Sequence, residues 1–120
     1  MMGVSSKAWD GDLVRQWLEN RIVAAGRDQV AAEMQGYEAR DDYDKAAAEE
    51  WVCRAVKAPA YTADQAAFAS RIKQLLGQDD YRATGIYDDR RFERHLRANL
   101  RKLARMGKDN TGFENTLHYQ

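Results

Sequence analysis

Apolar residues recur along this chain at spacings of three and four, and they nowhere alternate strictly with polar ones over a strand's length. That period belongs to helices with one buried stripe; a half-buried strand needs a period of two. Leu13, Val14, Trp17, Leu18, Ile22 and Ala25 form the first stripe, with Asp10 placed to cap its start and Gly26 to end it. A second helix is expected from residue 27 or 28, with Val30, Met34 and Tyr37 on one face. A third carries Ala47, Ala48, Trp51, Val52, Ala55 and Val56, and Asp41, Asp42 or Asp44 would cap it. Residues 28–58 therefore read as two helices rather than one bent one. Pro59 closes the segment, because the residue before a proline is pushed out of the helical region.

Thr62-Ala63-Asp64-Gln65 has the form of a capping box, in which the Thr62 hydroxyl and the Gln65 amide each serve an orphan backbone N–H. The helix behind it buries Phe68, Ile72, Leu75 and Leu76 and stops at Gly77. Residues 78–87, with Gly85, Tyr81 and Tyr87, read as a connector. Asp88 or Asp89 opens the last helix, which is expected to reach Met106 with Gly107 after it. The organisation is then a loose leader over 1–8, a helical domain over 9–108 and a tail over 109–120. The fold expected is all-α: a single-domain four- or five-helix bundle without a sheet.

Composition sharpens this picture in two ways. One proline in 120 residues favours helix. Leu, Ile, Val and Phe together number only 20, against 19 alanines, so the core is lean and alanine-rich. No apolar run approaches the ~18 residues of a membrane span, and no leader of the secretory type is visible, so the expected compartment is the cytoplasm. A single cysteine, Cys53, excludes an internal disulfide and a multi-cysteine metal site.

Charge changes the picture most. Lysine and arginine total 19 and so do aspartate and glutamate, yet the balance is uneven along the chain. Between Tyr81 and Lys108, nine basic residues stand against three acidic ones, a local excess of +6; residues 1–80 carry −4 and the tail −2. At ~100° per residue, Phe92, Leu96, Leu100, Leu103 and Met106 fall within about 120° of one another. Arg90, Arg94, Arg97, Arg101, Arg105 and Lys108 gather in an opposite arc of about 80°, along roughly 27 Å of helix axis. A solvated face usually mixes signs, as residues 38–50 do here; this arc holds no acid. Guanidinium forks bind phosphate bidentately, and such a row is suited to releasing the counterions of a nucleic-acid backbone. The expected partner is therefore a nucleic-acid backbone or, alternatively, an acidic protein surface, with the chain working in an oligomer or larger assembly. The acidic 38–50 segment of the same chain is the competitor for these cations.

Catalytic chemistry finds little support. His95 and His118 lack a metal-ligand partner at helical spacing, and Cys53 lies on an apolar flank where a thiol is ordinary packing. The carboxylates at 41–44, 49–50, 79–80 and 88–89 stand where helix caps and first-turn charges belong, with a weak alternative of hydrated Mg²⁺ at 41–44. A helix-turn-helix centred on Gly36 fails, because it would put Asp42 and Lys45 at packing positions. Trp9, Trp17, Trp51 and the tyrosines 37, 43, 61, 81 and 87 read as core filling rather than as base-stacking platforms. The expectation is a protein without catalytic residues, cofactor or metal.

Overall fold

The Asp10 carboxylate accepts hydrogen bonds from the backbone N–H groups of Asp12 and Leu13, opening a helix that runs unbroken from Gly11 to Gln35 (α1). This is a computed structural model, and it describes residues 8–78, 86–109 and 112–113. Residues 1–7 of the leader, 79–85 of the connector, with Tyr81 and Gly85, and most of the tail, His118 included, lie outside the described residues. Among those described, the chain forms five α-helices and one 3-10 turn, with no strand.

The expected stop at Gly26 and the expected helix start at 27 or 28 are overturned, since α1 passes straight through both. Glycine in a helix interior costs only about 1 kcal/mol relative to alanine, and flanking turns outweigh that. The true stop is Gly36, whose φ of 88° lies in the left-handed region; its N–H donates to Ala32 O and Glu33 O. Val30, Met34 and Tyr37 are consequently not a buried face. They are 55%, 85% and 68% exposed. Alanine takes the inside instead: Ala25 and Ala32 of α1 are buried, as are Ala39, Ala46 and Ala48. Small side chains let two helices approach closely.

A 3-10 turn, Tyr37–Ala39, leads into α2 (Arg40–Lys57), which folds back against α1. Ala39 occupies the N-cap without a side-chain bond, so none of Asp41, Asp42 and Asp44 is the cap. Arg21 of α1 grips Glu49 of α2 bidentately, at 2.9 and 3.0 Å, and the Gln29 amide donates to Glu50. α2 ends at Lys57 ahead of Pro59, as the proline requires.

Pro59 then serves as the first residue of a four-residue helix, α3 (Pro59–Thr62). The capping box is displaced by it. Thr62 has been drawn into α3 and is fully buried, and its hydroxyl has no hydrogen-bond partner among the described residues. Asp64 caps α4 (Gln65–Leu76) by accepting from Ala67 N at 2.7 Å. Gln65 is used elsewhere, its amide donating to Gly107 O and Lys108 O at the end of α5.

Asp88 opens α5 (Asp89–Asp109) by accepting from Arg91 N, and those backbone N–H bonds hold its carboxyl below the ordinary carboxylate range. The helix runs past the expected end at Met106. Gly107 lies inside it, where a Cβ would stand 3.0 Å from the Phe68 ring. α5 packs on α2 and α4, and the core gathers Val14, Leu18, Val52, Val56, Ile72, Leu96 and Leu100. Phe113 docks into that core, edge-on to Trp9, Trp17 and Phe68.

Candidate nucleic-acid interface

The expected apolar stripe of α5 is the one that buries: Phe92, Leu96, Leu100 and Leu103 are nearly inaccessible, and Met106 packs against the core. The opposite side of the helix faces solvent. Arg90, Arg94, Arg101, Arg105 and Lys108 are exposed, and among the described residues none of their side chains is held by a hydrogen bond or an ion pair. A row of five cations thus runs the length of the helix.

Arg97 departs from the row. Its guanidinium donates to Leu76 O at 2.9 Å and Gln78 O at 3.1 Å, and it lies 3.4 Å from Glu93. It closes the C-terminal end of α4, where helical carbonyls lack intrahelical donors. The sixth member of the predicted ridge is therefore fixed to its own chain at the middle of the row.

The acidic segment does meet α5, on a different flank. Asp44, fully buried, accepts from Tyr87 N at 2.8 Å and from Arg91 Nε at 3.0 Å and a second guanidinium nitrogen at 2.9 Å. Asp41 lies 3.3 Å from Arg91 Nε and 3.1 Å from His95 Nε2. The hydrogen bond with His95, aided by Arg91 and Arg94 nearby, holds the Asp41 carboxyl below its ordinary range. So Arg91 and His95, about 100° and 140° round the helix from Arg90, satisfy the acids of α2. Among the described residues no acid is paired with the ridge itself. A buried aspartate is invisible to a reading that assigns acids near helix starts to caps; the matching arginine 47 residues away carries no local signal.

Other candidate chemistry recedes. Burial pushes the Cys53 thiol up to about 12, so it holds no thiolate near neutral pH. Among the described residues no group of three or more His, Cys, Asp or Glu side chains is arranged to hold a metal ion. A groove of about 470 Å³ lies between α1, α2 and α5, floored by Ala31, Ala32 and Ala46. Its walls carry Arg21, Lys45 and Lys102 against Asp28, Asp42 and Glu49, a balance with no preference for an anion or a cation. Of the aromatics, Trp9 and Trp17 fill the core, Tyr61 lies under the Arg71 guanidinium, and Tyr37 and Tyr87 are exposed. Among the described residues no helix is long and apolar enough to cross a membrane. Comparison with protein-family models, with curated proteins and with solved structures found no match to this chain.

Proposed function

We propose that this protein is a small, non-catalytic accessory or regulatory subunit that holds a nucleic-acid backbone along α5, within a larger cytoplasmic nucleoprotein assembly. The observation that carries the reading is the division of labour on α5. Its acid-satisfying cations, Arg91 and His95, are on one flank, while Arg90, Arg94, Arg101, Arg105 and Lys108 present a separate row whose side chains pair with no acid among the described residues. Leaving five like charges side by side has a repulsive cost, which a polyanion would reverse. The row is four arginines and one lysine, groups that contact phosphate oxygens along a backbone, and phosphate contact without sequence preference is the mode proposed.

Fluorescence anisotropy with labelled duplex and single-stranded oligonucleotides of unrelated sequence tests this. Five neutralised phosphates correspond to a slope near −4.5 in log K against log salt on duplex DNA, and about −3.5 on single strands. Arg101→Ala together with Arg105→Ala should weaken all sequences alike and flatten that slope by about 2. Binding that ignores salt would refute the proposal. A complex recovered from extracts that resists nuclease and depends on the same two arginines would instead assign the row to an acidic protein surface.

A further inference from the structure

The groove between α1, α2 and α5 borders the cationic row and is itself electrically balanced. α1 and α5 each pack along α2, and a space of about 470 Å³ is left open between the three, floored by the methyl groups of Ala31, Ala32 and Ala46. Arg21 and Glu49 on its wall spend their charges on each other. What remains is two carboxylates, Asp28 and Asp42, two ammonium groups, Lys45 and Lys102, and the amides of Gln35 and Asn99. Apart from the Asn99 amide N–H that donates to His95 O, none of these six side chains is held by a hydrogen bond or an ion pair among the described residues. Donors and acceptors thus stand in equal measure above an apolar floor, a lining suited to a flat, neutral, polar ring rather than to an ion. The position of α5 fixes where such a ring would come from. Lys102 is on the wall of the groove and one turn before Arg105 of the row, about 60° from it round the helix. Ala98, exposed, lies about 40° from Arg94 on the same side. At the height of residues 98–102, one methyl group and one flexible lysine are all that α5 puts between the row and the groove.

We infer that this groove seats an unpaired base of a nucleic-acid strand whose phosphates lie along Arg94, Arg101 and Arg105. The inference rests on the backbone-binding reading of α5 and adds to it the form of the ligand, a single strand. In a duplex the base is stacked and its pairing edge is already bonded, so only an unpaired base is free to turn aside from its backbone. Every base carries both donors and acceptors on that edge, and the mixed walls of the groove can meet them without choosing among the four. Preference for single strands is therefore compatible with indifference to sequence. The floor offers methyl groups and no ring, so the seat adds less than an aromatic stack would, on the order of fivefold to tenfold in affinity.

The test compares two strands with the same phosphates, a short oligonucleotide of mixed sequence and the abasic strand of equal length, by fluorescence anisotropy on the full chain. The intact strand should bind on the order of fivefold to tenfold more tightly, with the same salt slope. Ala31→Leu, at an exposed helical position, fills the floor without supplying a ring for a base to stack on. It should bring the two strands to within about twofold of each other and leave affinity for duplex unchanged. In the parent protein, the methyl resonances of Ala31, Ala32 and Ala46 should shift on adding the intact strand and stay in place with the abasic one, a readout that needs no variant. Equal affinity for the two strands, each with its salt slope, would remove the groove and leave the row. Absence of salt-dependent binding to either strand would remove both. An advantage of the intact strand that survived Ala31→Leu, with the three methyl resonances unmoved, would place the base elsewhere and overturn the inference.

Discussion

Thr62 and Asp64 each have the chemistry to cap α4, and only one is in place to do it. Thr62 and Gln65 match a capping box on spacing alone, and that local signal was legible; what spacing could not convey is that Pro59 starts a separate helical turn that carries Thr62 into the interior. Its hydroxyl is then a buried donor without a partner among the described residues, a costly state in general at about 1–3 kcal/mol. Replacing Thr62 with the isosteric valine should therefore leave stability unchanged or raise it by about 1 kcal/mol in urea titration. Asp64→Ala should cost about 1 kcal/mol, the usual loss for a cap. Were Thr62 the cap, the two results would be exchanged. Gly11 shows the same dependence on a distant neighbour: a Cβ there would collide with the Thr62 carbonyl, which no pattern around residue 11 announces.

Helices were legible where large apolar side chains marked the buried face and illegible where alanine did. In α5 the phase is set by Phe92, Leu96, Leu100 and Leu103, so both its stripe and its cationic row follow from spacing. In α1 the buried phase passes from Trp17, Leu18 and Ile22 to Ala25 and Ala32, while Val30 and Met34 mark a second, opposite face. A reading that weighs bulk takes the second face for the core and breaks the helix at Gly26 to reach it. The cationic row was legible in the same partial way. Its arc could be drawn from residue numbers, but the capture of Arg97 depends on where α4 ends beside α5. This predicts opposite behaviour for two neighbouring arginines. Arg97→Ala should lower stability by about 1–3 kcal/mol, because it uncaps α4 and strips two carbonyls of a charged donor, and should change the salt slope of nucleic-acid binding little. Arg101→Ala should leave the melting transition within about 0.5 kcal/mol of the parent and reduce the slope by about 1. Calorimetry and anisotropy on the same two proteins separate the roles.

A net charge of zero conceals how the whole molecule distributes its charge. The acidic start of α2 lies against one flank of α5, Asp41 and Asp44 reaching Arg91 and His95, so the junction of these two helices is partly electrostatic, while no acid among the described residues pairs with the outer row of α5. Acid should loosen that junction, and Asp41 gives the sign. His95 and Arg91 hold its folded-state carboxyl below the ordinary value of about 3.9. The folded protein therefore binds this proton more weakly than the unfolded chain, and the stabilisation is complete above about pH 4 and vanishes as pH falls through the lowered value. Asp41 is well exposed, so solvent screening keeps the contribution to no more than ~1 kcal/mol. Asp41→Asn should thus be less stable than the parent at pH 7 by up to that amount, and the two should converge as acid protonates the Asp41 carboxyl, measured by urea titration at each pH. A difference that persisted in acid would mean that Asp41 holds the helices together through packing and not through its charge. The same variant should leave oligonucleotide binding at pH 7 intact or slightly stronger, since Asp41 lies close enough to lend its negative potential to Arg94 but touches none of the five exposed cations. Stability and affinity then respond to different charges on one helix.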